Sequence, residues 1–157
     1  MPWEGFEERL VAGLREVTDR VLLVVYSRSN EHAYVQFIGW ESEVYAEASG
    51  FTPVSAEGAA LLVAAGRMTP SVGQPNWESS LPTPALTSEY ADLARRCVVA
   101  LRDVFWVSGP DDLEYRAWRE PEEAPPGVTW PLERFEELDK GENPLAIDAL
   151  GIPPKTA

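Results

Sequence analysis

The sequence predicts an α+β fold: an N-terminal helix and a second long helix packed on one face of an antiparallel sheet. Three observations carry this expectation. Residues 2–18 and 86–105 repeat apolar side chains at steps of three and four, the spacing of an amphipathic helix. Between them lie short β-branched and aromatic runs set off by turn residues. Pairing those runs puts Val35, Phe37, Ala46 and Ala48 on one apolar face that can receive the helical stripes.

In the first helix, Trp3, Phe6, Leu10, Leu14 and Val17 form the stripe, with Glu7, Glu8, Arg9 and Arg15 between them. Pro2 suits a first turn, where no intrahelical donor is lost. Residues 21–27 are apolar and β-branched almost throughout, the pattern of an interior strand. Residues 28–32 hold Ser, Asn and Glu and read as a turn. Residues 33–40 and 43–49 follow as strands, joined at Glu41-Ser42. That two-residue connection sets Trp40 opposite Glu43. Val35 then meets Ala48 and Phe37 meets Ala46, while on the other face Gln36 meets Glu47 and Ile38 meets Tyr45.

Residues 57–66 are rich in Ala and Leu and predict a short helix ending at Gly66. Residues 68–84, with Pro70, Pro75, Pro82 and Pro84, read as a long irregular connection, a kind of segment that often carries function. The second long helix has the stripe Leu86, Tyr90, Leu93, Ala94, Cys97, Val98, Leu101 and Phe105, and Ser108-Gly109-Pro110 stops it. Leu113–Arg119 reads as a short strand. Beyond it, prolines separate two weak helical pieces at 132–140 and 145–150. The expected organisation is an α+β domain over residues 1–119 and an acidic, Pro-rich C-terminal tail with short helices over residues 120–157.

The chain has 157 residues, the size of one domain, with 26 acidic against 13 basic side chains and a net charge of -13. Such a balance repels phosphate backbones and anionic lipid, so neither nucleic acid nor membrane is an expected partner. The longest apolar run covers residues 21–26, far short of the ~20 residues a membrane helix needs. No basic region followed by an apolar one marks a signal peptide. One cysteine and one histidine exclude an internal disulfide and a zinc site built mainly from His and Cys. The reducing cytoplasm is the expected compartment, with no metal and no cofactor.

Little catalytic chemistry is on offer. Cys97 and His32 are the one conceivable thiol–imidazole dyad. Cys97 sits on the apolar stripe of the strongest helix, where a free cysteine packs rather than reacts. Asp111-Asp112 after Pro110 fits a turn cap. No Gly-rich phosphate loop, nucleophile elbow or H-E-x-x-H is present. Among the six tryptophans, Trp77 lies in the Pro-rich connection, where it either pins the segment to the body or anchors a partner.

Several stretches, taken in order, resemble a known family. Trp3 and Phe6 form W-x-x-F at the head of a helix; VLLVV follows, then AYVQF at residues 33–37 and A-E-A at residues 46–48. Asn76-Trp77 then precedes a helix holding LARRCVVALRDVF, and P-D-D-L-E-Y spans residues 110–115. The sequence resembles the actinobacterial TY-Chap domain of the YbjN-like, type III secretion chaperone-like superfamily, over roughly residues 3–118. It departs at residues 64–68, A-A-G-R-M, where the family has a Leu-Gly-Trp-like helix ending. The resemblance implies a secretion-chaperone-like fold and peptide or protein binding rather than catalysis, often by a dimer. It carries over no catalytic residues.

The expected function is therefore a chaperone-like module that binds a protein or peptide client, with a homodimer as one form. The expected site is the outer sheet face, at Tyr34, Gln36, Ile38, Tyr45 and Glu47, together with Trp77. The face is suited to binding because its rings carry hydrogen-bonding ends. The alternatives are a small acidic enzyme working through a carboxylate acid/base pair, and a subunit whose role is assembly alone. Trp130 or Phe135 of the tail, or a second subunit, are the competing covers for that face.

Overall fold

The computed structural model describes residues 2–67, 69–71 and 73–156. Helix α1 (Trp3–Leu14) leads into strand β1 (Val21–Ser27). Strands β2 (Tyr34–Gly39) and β3 (Glu43–Ala48), helix α2 (Ala56–Ala64) and strand β4 (Trp77–Pro82) follow. Helix α3 (Thr87–Val99), strand β5 (Leu113–Arg119) and a short helix α4 (Leu132–Glu136) complete the order. The strands form one antiparallel sheet in the order β4-β3-β2-β1-β5. The near-continuous apolar run of β1 fits its interior place between β2 and β5.

The pairing of β2 with β3 follows from the Glu41-Ser42 connection. Trp40 N donates to Glu43 O at 2.8 Å, and Val35, Gln36, Phe37 and Ile38 lie opposite Ala48, Glu47, Ala46 and Tyr45. Because side chains alternate, this register fixes which residues meet the helices. Phe6, Leu10 and Leu14 of α1 and Leu93, Ala94 and Cys97 of α3 are buried with Leu23, Val25, Val35, Phe37 and Ala46 in one core. Burying each large side chain of this set is worth about 1.5–3 kcal/mol.

The apolar stripe of 86–105 spans two helical forms. After Val99 the chain continues as a π-helical turn, Ala100–Val104, in which Phe105 N donates to Ala100 O at 2.9 Å. The helix ends at Trp106, whose φ of 58° is the left-handed conformation of a helix C-terminus. Cys97 is fully buried. Burial pushes its thiol up, against the opposing pull of Arg67, whose Nη2 lies 3.5 Å from Sγ.

Two expectations need correction. The 68–84 connection is not wholly irregular: it contains β4, the edge strand beside β3. Trp77 and Leu81 point into the core, and Pro82 sits at the strand end, where proline is tolerated on an edge. Met68 and Val72 of that segment lie outside the described residues. The helical pieces at 132–140 and 145–150 shrink to Leu132–Glu136 and a single 3-10 turn at Asp148–Leu150. Leu145 N is committed to Ala117 O at 2.8 Å, so the chain there follows the edge of β5 instead of coiling.

The rest of the C-terminal segment also runs along β5. Arg119 and Glu142 exchange backbone hydrogen bonds, Tyr115 N donates to Pro153 O at 3.1 Å, and Lys155 N donates to Tyr115 O at 2.8 Å. Ile147, Leu150 and Ile152 enter the core beside α1. Gly13 of α1 permits this approach, since a Cβ there would overlap Leu150. Asp139 ties the strap down by accepting from Arg119 at 2.7 Å and from Arg20 at 3.0 Å.

Candidate functional site

With both long helices on one face and the C-terminal segment along the β5 edge, the opposite face of the sheet carries the expected site residues. The register arranges them in cross-strand rows. One row runs Glu114, Tyr26, Tyr34; the next runs Arg116, Val24, Gln36, Glu47, Glu78; the third runs Trp118, Leu22, Ile38, Tyr45, Ser80. Tyr34, Gln36, Ile38 and Tyr45 are half-buried and Glu47 is buried. The structure therefore brings five of the expected residues together. Trp77 is not with them. It pairs with Ala48 on the core face and its indole is buried there, so it pins β4 to the body.

The loop before β4 folds over the outer face at Glu47. This carboxylate accepts from Gln36 Nε2 and Asn76 Nδ2, both at 2.6 Å, and from Gln74 Nε2 at 3.2 Å. Three amide donors satisfy a buried carboxylate that would otherwise be costly to desolvate. Asn76 Oδ1 accepts from Tyr34 Oη at 3.0 Å and from Gly50 N at 2.9 Å. Gly50 is required at this contact, because a Cβ there would overlap the Pro75 carbonyl.

Tyr45 Oη donates to Glu78 Oε2 and accepts from Gln74 Nε2, which also reaches Glu78 Oε2 at 2.8 Å. Burial, then the hydrogen bond to Glu78, push the Tyr45 phenol well up. The same hydrogen bond, with that from Gln74, holds the Glu78 carboxyl below its ordinary range. A carboxyl held ionised is the opposite of what a general acid needs at neutral pH. Tyr26 Oη donates to Glu114 Oε1 at 2.6 Å, and burial again pushes that phenol up. These hydroxyls are donors fixed in place rather than acids or bases near neutrality.

An open hollow of about 290 Å³ sits on this face, lined by Tyr26, Tyr34, Gln36, Val24 and the flanking Glu31, His32, Arg116 and Lys155. Trp130 and Phe135, one of the competing covers, pack on each other with centroids 6.1 Å apart, and neither lines this hollow. Among the described residues, no group of three or more His, Cys, Asp and Glu side chains is placed to hold a metal ion. No helix there is long and apolar enough to cross a membrane.

Gln74, Asn76 and Glu78 were missed as site residues because their segment reads as irregular. The signal was the alternation Trp77, Glu78, Ser79, Ser80, Leu81, which puts Glu78 opposite in parity to the two apolar residues. Tyr26, Arg116 and Trp118 join the face through the pairing of β1 with β5, which no short turn announces.

A family model described as T3SS (YopN, CesT) and YbjN peptide-binding chaperone 3, TY-Chap3, matches residues 1–119. Comparison with curated proteins and with solved structures gave no match.

Proposed function

The chain belongs to the TY-Chap3 family of peptide-binding chaperones, and on that footing we propose that it holds an extended protein or peptide segment against the outer face of its sheet, without catalysis. One observation carries the choice of surface. The face left open by the helices and the C-terminal segment presents Tyr34, Tyr45, Ile38 and Trp118 on hydrogen-bonded strands. Rings with satisfied polar ends give contact area at little conformational cost, which suits a binding surface. Residues 1–119 form the family domain in this reading, and residues 120–157 close its β5 edge. A single cysteine fits work in the reducing cytoplasm. A second copy of the chain is the competing occupant of the face.

The test uses a random-sequence peptide array probed with labelled protein. The double variant Tyr34→Ala, Tyr45→Ala is expected to stay folded and monodisperse and to lose peptide capture. Unfolding or a changed oligomeric state would make the face structural. Unchanged capture, in this variant and in Ile38→Lys, would put the binding site elsewhere.

A further inference from the structure

We infer that Arg116 and Lys155 read an acidic side chain of the bound segment, so that the C-terminal strap contributes to client selection. The inference rests on the outer face being the peptide site.

Position singles these two cations out: both line the open hollow on the outer face. In this chain of net charge -13 six of the other bases hold carboxylates: Arg20 and Arg119 hold Asp139, Arg95 and Arg96 hold Asp92, Arg102 holds Asp103, and Arg134 holds Glu122. Arg116 and Lys155 have no ion pair with any described residue. Each lies instead over a ring: Arg116 Cζ is 5.7 Å from the Trp118 centroid, and Lys155 Nζ is 5.6 Å from that of Tyr26. A cation over an aromatic face is held in place with its charge unneutralised.

Both line the 290 Å³ hollow that contains Tyr34 and Gln36. Two cations and one carboxylate, Glu31, line the hollow, while Glu114 keeps its charge beside it, bonded to the Tyr26 hydroxyl. The lining itself thus holds more cations than carboxylates in a molecule of net charge -13, and this complementarity favours an anionic partner group. Both cations also line a second hollow of about 480 Å³ between β5 and the C-terminal strap. They form the saddle between the two spaces. A chain can therefore run past them in both directions, which fits a side chain within an extended segment better than a terminal carboxylate. Lys155 reaches the saddle because its backbone N–H is bonded to Tyr115 O on β5.

Arrays of random peptides test this directly, tethered through their C-termini so that no terminal carboxylate is free. Wild-type protein is expected to enrich Asp and Glu, and added salt to weaken that preference. In Arg116→Glu, Lys155→Glu the preference should reverse toward Lys and Arg. In Arg116→Gln, Lys155→Gln it should vanish with a several-fold loss of capture. All these side chains are exposed, and unchanged thermal unfolding confirms the folded state. Peptide capture without an acidic preference, or with one that survives charge reversal, overturns the inference and leaves the peptide-binding reading standing. Enrichment only on arrays with free C-termini overturns it in favour of a terminal carboxylate. No capture of any peptide removes the underlying reading, and this inference with it.

Discussion

Glu47 shows how a polar residue is made tolerable inside this surface. Its carboxylate gathers Gln36, Asn76 and Gln74 and so fixes the loop before β4 to the sheet. Glu47→Ala strands the Gln36 and Asn76 amides, while Gln74 keeps Tyr45 and Glu78, and a loss of about 1–3 kcal/mol is expected in urea unfolding, with Glu47→Gln milder. A loss within error for both would mean that water replaces the carboxylate freely. Asp139 makes a pH-dependent counterpart. The hydrogen bond from Arg119, then that from Gly141 N, and then Arg20 hold its carboxyl well below the ordinary range. The folded state thus binds this proton more weakly than the unfolded chain. The contribution is complete above the ordinary carboxylate value of about 4 and fades as pH falls toward the lower folded value. Urea midpoints measured from about pH 6 downward should therefore drop more steeply for the native protein than for Asp139→Asn. Equal slopes would show that the cluster adds nothing to folding.

The connection Glu41-Ser42 made the register of β2 with β3 readable, because a two-residue loop leaves one pairing and the alternation of Val35 and Phe37 with Gln36 and Ile38 has a clear inside. Five of the expected site residues follow from that one inference. Strand β4 was not readable in the same way. An edge strand needs only one buried face and one paired edge, so Trp77 and Leu81 suffice, and the prolines around them mimic a loop. The cost was Gln74, Asn76 and Glu78. Strand β5 was recognisable by composition, but its partner β1 was not, since residues 28–112 intervene and composition does not encode which edge receives a strand (loop closure cost grows only slowly with length). The stripe of α3 was legible to its end because a π turn shifts the helical phase by little over a single turn. Leu101, in that turn, is fully buried. Leu101→Ala should cost about 2–5 kcal/mol, measured by chemical denaturation. A loss under about 0.5 kcal/mol, the usual limit for surface sites, would place it outside the core.

Charge and composition along the chain suggest a body followed by an acidic tail: residues 110–157 carry a net charge of -7 in less than half the length. In the structure that tail is seated on the body. Ile147, Leu150 and Ile152 belong to the same core as α1 and β5, and Tyr115 Oη accepts from Ile147 N at 2.9 Å within it. Three well-placed apolar residues are enough to seat a strap, although most of the segment before them is acidic. The strap also covers the β5 edge, which would otherwise offer open backbone groups to other chains. Two measurements follow. Leu150→Ala should destabilise the whole chain by about 2–5 kcal/mol, as a core leucine does, and in a single cooperative transition. A protein ending at residue 120 should lose that cooperative transition or aggregate, because it leaves the α1 side of the core and the β5 edge uncovered. If the shortened protein instead unfolds with undiminished stability, and Leu150→Ala costs no more than a surface change, the strap is an appendage. The Lys155 position on the outer face would then have no fixed support.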